Sequence, residues 1–245
     1  MNDKNIEKII RAFLYLIILA FLAWAYFTGS FQFIIDNPRD LLYLTGQHLK
    51  LVSISSGLAI IVAVSLGILV TRPKFKRLEG IVMSFANIGQ TVPSLAILAL
   101  VMSYLGLGWQ TAIFALWINS LLPILRNTVA GIENVNASII DAGRGMGMTE
   151  RQILWKLEMP NAAYAIIAGT RTSVVINIGT AALAFLIGGG GLGDLIFTGI
   201  ALYDTGIMLS GAVPVIFLAV FIDFILGKLE KVIVPKGLQR DLDIA

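Results

Sequence analysis

The sequence predicts an all-α, polytopic membrane bundle, and three observations carry that prediction. Of 245 residues, 57% are hydrophobic and 13% are charged, with a mean hydropathy of +0.86, whereas soluble domains carry about 25% charged residues. Six apolar stretches, at about residues 12–28, 50–70, 81–104, 109–125, 161–187 and 207–227, approach or exceed the roughly 20 residues that a helix needs to cross a hydrocarbon core about 30 Å thick. Lysine and arginine, finally, sort into alternate connections.

That sorting fixes the expected orientation. Lys4, Lys8 and Arg11 precede the first stretch, and Arg72, Lys74, Lys76 and Arg77 separate the second from the third. Arg126, Arg144, Arg151 and Lys156 lie between the fourth and fifth, and Lys228, Lys231, Lys236 and Arg240 follow the sixth. The other connections hold Arg39, with Lys50 at a helix start. The positive-inside rule then places both termini in the cytoplasm. The formal charge of +3 follows from this topology, and no nucleic-acid partner is needed to explain it. Trp24 and Tyr26, and then Tyr104 and Trp109, fall at the outer ends of their stretches, where interfacial aromatics gather.

The first stretch has two readings. Ala23-Trp24-Ala25 fits a small-x-small cleavage pattern behind a basic start, but the apolar run continues through Phe27 to about the length of a span, so a retained helix is expected. The expected organisation is an N-terminal segment and first span at 1–28, a core of five further spans at 29–227, and a tail at 228–245. Gln90-Thr91-Val92-Pro93-Ser94 interrupts the third span, Asn119-Ser120 and Pro123 mark the fourth, and Asn177 and Thr180 sit in the fifth. Polar residues and helix breakers at membrane depth either pack helices together or line a wet path. Gln90, Pro93, Asn119 and Asn177 are therefore the candidate path residues.

The long basic connection at 133–160 is predicted as helix, turn, helix. A short helix over 136–143 is followed by Gly145 and Gly147, which supply the turn. Thr149 with Gln152 three residues on has the spacing of a capping box. Ile153, Leu154 and Leu157 then form an apolar stripe, with Glu150, Arg151 and Lys156 polar. Pro160 suits the first turn of the fifth span. The stripe needs a surface, either on a partner or on the chain's own helix ends.

Several chemistries are excluded or set aside. There is no cysteine, and His48 is the single histidine, which removes thiol chemistry and clustered imidazole sites. No serine sits in a nucleophile-like turn beside His48, so no catalytic constellation is expected. Gly188-x-Gly190-x-x-Gly193 matches a dinucleotide fingerprint formally but follows an apolar helix instead of a strand, and reads as a tight turn into an outer loop. The chain lacks G-x-x-x-x-G-K-[ST], so it has no P-loop for ATP. Arg171, near the inner end of a helix of 28 residues and roughly 42 Å, is expected to snorkel, and Asp223 to lie near the inner interface.

Asp141-Ala142-Gly143, then Gly147, then Met159-Pro160 resembles the E-A-A-x3-G-x9-I-x-L-P signature of permease subunits of ATP-binding-cassette importers. The acidic residue stands six before the glycine and nineteen before the proline, with Asp141, Gly143, Leu157 and Met159 as the departures. The stretches 187–194, 89–94, 119–128 and 140–148 are similar to the permeases for glycine betaine, carnitine, choline and related osmoprotectants. The resemblance covers about residues 45–225.

It implies a type I importer permease in the bacterial cytoplasmic membrane, with no cofactor of its own. Its implied partners are a cytoplasmic ATP-binding subunit that spends the ATP, an extracytoplasmic solute-binding protein, and a second permease copy or paralogue. The coupling loop would comprise Asp141, Ala142, Gly143, Gly147, Thr149, Gln152, Ile153, Leu154, Leu157 and Pro160. The alternative, a self-contained secondary transporter or channel component, calls for intramembrane carboxylates near the midplane, and only Asp223 offers itself.

Overall fold

A computed structural model describes residues 32–234 together with positions 13, 16, 19, 20, 23–27, 29 and 30. The segment 1–12 with Lys4, Lys8 and Arg11, part of the expected first span, and the tail beyond Val234 with Lys236 and Arg240 lie outside the described residues. Among the described residues the secondary structure is helical throughout. A short helix α1 (Gln32–Asp36) leads into α2 (Pro38–Val70), and α3 (Lys76–Thr91) and α4 (Ser94–Leu105) follow. Next come α5 (Trp109–Glu133), α6 (Ala137–Gly145), α7 (Glu150–Ile153) and, after a π-helical turn at Leu154–Glu158, α8 (Met159–Thr180). A 3-10 segment (Ala181–Ile187), α9 (Gly193–Leu202) and α10 (Thr205–Ile233) complete the chain.

The second to sixth expected spans fall on the four long apolar helices and the one bent pair, each with other bounds, the fourth running to Glu133 and not ending near 125. The second reaches outward to Pro38, with that proline in its first turn, because an amphipathic segment continues the helix beyond the purely apolar run. The third, expected over 81–104, is two helices, α3 and α4, meeting at 104°. Pro93 has no N–H to give and pushes Val92 into an extended conformation (ψ 124°), as a residue before proline prefers. The fifth belongs to one helical stretch of 38 residues, Glu150–Ile187, which takes in half of the basic connection. The sixth runs on to Ile233, past the boundary expected at 227.

Between the fifth and sixth spans the tight turn is present, but a helix follows it in place of a loop. Gly188, Gly190 and Gly191 all have φ between 74° and 90°, a region open to glycine. They turn the chain into α9, which packs antiparallel on the start of α10. Gly199 lies against Met208 there, and Gly211 against Leu192 and Ile196. A side chain at Gly193 would collide with the backbone of Ala182.

The core forms where α2, α5 and α8 meet. Gly67 of α2 lies on Thr128 and Leu125 of α5, and Gly131 of α5 lies on Ala162 and Ala165 of α8. Small residues let helix backbones approach closely where lipid gives no hydrophobic reason for helices to associate. Polar side chains tie the same helices together. His48 donates from Nε2 to the Ile178 carbonyl at 2.9 Å, and Ser173 donates to the Ser120 carbonyl at 2.6 Å.

Candidate functional site: the hairpin at the basic end

The basic connection folds as the predicted hairpin. Asn136 caps α6 by accepting from the Ser138 N–H. Thr149 and Gln152 form the full capping box, with the Gln152 N–H on Thr149 Oγ1 at 3.3 Å and the Thr149 N–H on Gln152 Oε1 at 2.8 Å. Gly147 takes the left-handed conformation, φ 75°. Gly145 is instead the last residue of α6, so one glycine makes the turn.

The apolar stripe closes the hairpin on itself. Ile153 has 0% of its surface exposed, and a Cβ at Gly143 would lie 2.6 Å from Leu157 Cδ1 and 3.7 Å from Ile153 Cγ1. Gly143 thus gives Leu157 and Ile153 their seat on α6. Of the two surfaces that the sequence left open for the stripe, the structure places it on the chain's own. Leu154 and Leu157 are partly exposed, while Asp141, Ala142, Gly147, Thr149 and Gln152 are exposed.

What the hairpin leaves outside differs from what the stripe suggested. Met146 is 73% exposed and Trp155 57% exposed, and the other exposed residues of the hairpin include Ile139 and the charged Asp141, Arg144, Glu150, Arg151 and Lys156. Arg144 reaches Asp141 at 3.9 Å and Glu150 at 3.6 Å, ion pairs in water that contribute little to stability. Sequence reasoning missed Met146 and Trp155 because both fall off the helical period of the stripe. The one available signal was their type, since large apolar residues at a connection in water need a reason.

The hairpin is mechanically joined to the membrane body. Residues 154–158 form a π-turn, and the ring of Pro160 removes the hydrogen bond its N–H would make to the preceding turn. Asn161 Nδ2 donates to the neighbouring Leu157 carbonyl at 2.7 Å, so helicity continues into α8. Arg72, just past the end of α2, pairs with Glu158 at 2.5 Å. Lys76 bridges Glu133 and Glu79. Any displacement of α6–α7 therefore pulls on α8, and through Arg72 on α2.

The candidate path residues differ in burial and in bonding. Gln90 and Pro93 are exposed at the bend between α3 and α4, and Asn119 is half-buried on α5. Asn177 is 1% exposed and donates to Ser55 Oγ and Ser56 Oγ, each at 2.8 Å, which ties α8 to α2. Among the described residues no hydrogen bond joins any two of Gln90, Asn119 and Asn177. Arg171 and Asp223, read separately from the sequence, form one ion pair between α8 and α10. The guanidinium reaches both Asp223 oxygens, at 2.6 and 2.7 Å, and Glu230 at 3.2 Å. Asp223 is thus neutralised by a fixed partner, which leaves it unsuited to carrying a transported ion.

A bundle of helices long and apolar enough to cross a membrane, with a helical hairpin continuous with one of them, is the architecture on which the comparisons with known proteins converge, that of the membrane components of transport systems. The chain belongs to the family described as binding-protein-dependent transport system inner membrane component, whose model matches residues 63–234. It is 49% identical over 207 residues to the glycine betaine/carnitine/choline transport system permease protein OpuCB of Bacillus subtilis (strain 168), covering 84% of this chain and 94% of that one. It is 46% identical over 209 residues to the choline transport system permease protein OpuBB of the same organism, covering 85% of this chain and 95% of the other. In fold it matches the MetNI methionine ABC transporter in an inward-facing conformation, with a TM-score of 0.73 at 22% identity over 80% of this chain and 96% of that one.

Proposed function

We propose that the chain is the pore subunit of an ATP-driven importer for quaternary-ammonium osmoprotectants such as glycine betaine, carnitine and choline, in the cytoplasmic membrane with both termini inside. The observation that carries the reading is the hairpin. It offers Met146 and Trp155 outward, buries Ile153 of its own stripe, and continues without a break into α8. A cytoplasmic ATP-binding subunit seats itself on that apolar pair, and closure of two such subunits on ATP moves the hairpins and rocks the bundle.

The solute arrives from an extracytoplasmic binding protein, and a second permease copy or paralogue completes the pore. The chain itself binds no cofactor, because ATP is spent on the partner. The two equilibrium states are biased by nucleotide on one side and by the loaded receptor on the other. Gln90 and Pro93 at the bend, with Asn119, line the path, while Asn177 acts as a helix tie.

The test is uptake of radiolabelled glycine betaine at high osmolarity, in cells with and without this chain and in cells whose cognate ATP-binding subunit lacks its P-loop lysine. The proposal expects uptake to be lost in both cases. Uptake that needs the chain but survives the dead ATPase would point to a secondary transporter.

A further inference from the structure

α2 and α5 run side by side and in the same direction, because α3 and α4 return the chain to the far end between them. Two cavities follow one another down the groove they form. The upper one, about 210 Å³, is lined by Gln47, Lys50, Leu51, Trp109 and Gly189. The lower one, about 370 Å³, lies between Leu58 and Val62 of α2 and Ile113, Phe114 and Trp117 of α5, with Gln110 also in its wall. Gln47, Leu51, Leu58 and Val62, spaced 4, 7 and 4 apart, put both cavities on one face of α2.

Depth gives this groove a chemical order. Lys50 stands twenty residues before Val70, roughly 30 Å along the helix, which is about the thickness of a hydrocarbon core. With Arg72 marking the boundary at the basic end, Lys50 marks the opposite one. Leu58 and Val62 lie roughly 12 and 18 Å deeper along the same helix. Descending the groove, a ligand meets an ammonium, then the amide of Gln110, then aliphatic and aromatic walls. A phospholipid has that sequence of groups: phosphate, glycerol esters, acyl chain.

The charge at the top is available to an anion. Lys50 Nζ sits 5.0 Å from the centroid of the Trp109 ring, and no carboxylate pairs with it among the described residues. Because the ammonium covers that ring, the upper cavity does not offer Trp109 as a cage for a quaternary ammonium. Leu58 and Phe114 are exposed below it. We propose that this groove holds one phospholipid, its phosphate on Lys50 and one acyl chain between α2 and α5 against Leu58, Val62 and Phe114. The proposal does not depend on the transported solute, and it rests on the proposed orientation only for which leaflet supplies the lipid.

The experiment is native mass spectrometry of the full chain, purified with its partner subunits after reconstitution into vesicles of phosphatidylethanolamine and phosphatidylglycerol, under stepwise delipidation. About one phospholipid per copy should outlast the rest, and Lys50→Gln should lower its retention about tenfold, the order expected for one charge-assisted contact. Leu58→Trp, which fills the lower cavity and leaves the charge in place, should displace the same lipid, while Lys50→Arg should keep it. Unchanged retention in both Lys50→Gln and Leu58→Trp would overturn the proposal. So would displacement of the lipid by millimolar inorganic phosphate, which would make the upper cavity a bare anion site. Efficient cross-linking of Leu58→Cys to the first span or to a second copy would also overturn it, by showing that protein covers the groove.

Discussion

The hairpin at the basic end and the membrane body both bury apolar side chains, Ile153 in the one and Leu98, Leu116 and Ile124 among those in the other, but they differ in what they leave outside. In the hairpin the buried side chain is Ile153 and the exposed ones include Asp141, Arg144 and Glu150. In the body the buried side chains include His48, Ser55, Ser56, Ser173 and Asn177, while Leu58, Phe217, Phe221 and Phe224 are exposed. The outer surface of the chain changes character over a few turns of one helical stretch, as expected where the solvent changes from water to lipid. Water drives apolar groups inward. Lipid does not, and there helices hold together by close packing and polar bonds. An exposed Phe221 is therefore ordinary, whereas exposed Met146 and Trp155 are the large apolar side chains on which the proposed docking of a partner rests.

The sharpest way to break this contrast is to strip the charge pairing from the body. Arg171→Leu leaves Asp223 and Glu230 facing each other without a cation, and the amount of folded protein in membranes should fall at least about tenfold, since removing one partner strands a charge in a poorly solvating place. Adding Asp223→Leu should recover much of the loss, because an apolar pair suits that solvent. Failure of the double variant to recover would show that the pair does more than neutralise itself. Quantitative blotting of detergent-extracted, monodisperse protein reads both.

Next in size is the surface of the hairpin. Met146→Glu with Trp155→Glu should leave the membrane level unchanged and lower solute uptake by about tenfold or more, as hot-spot contacts do. ATP hydrolysis by the assembled complex should become independent of the loaded binding protein. A smaller effect is expected inside the hairpin, where Ile153→Ala should destabilise the local fold by about 2–5 kcal/mol and Ile153→Val by about 0.5–1.5 kcal/mol, read as faster amide exchange over 137–158. The smallest is Asn177→Ala. Loss of its bonds to Ser55 and Ser56 should weaken the body by about 0.6–2 kcal/mol, visible as a modest fall in thermal stability with uptake retained.

The features legible in the sequence were those set by neighbours. Thr149 and Gln152 are three residues apart, so their capping box could be read directly, and Pro93 announced the interruption of the third span. The extent of the bend, 104°, was not legible, because it depends on how α4 packs against α5 and the 3-10 segment. The Arg171–Asp223 pair joins residues 52 apart, and no local spacing links them. The stripe was correctly located, but its partner, Gly143 on α6, depends on the hairpin closing. α9 was hidden because a ten-residue helix after a glycine turn, with Asp194 in its first turn, is too short to read as a span.

Cross-linking tests most directly whether an ATP-binding subunit docks, as proposed, on Met146 and Trp155 and not on the stripe. Because the chain has no native cysteine, single Met146→Cys, Trp155→Cys and Ile153→Cys variants can be treated with a short thiol cross-linker in the assembled complex, with a cysteine on the ATP-binding subunit. The account predicts cross-links from 146 and 155 that change in yield on ATP binding, and none from 153. Efficient cross-linking from 153, with none from 146 or 155, would contradict it.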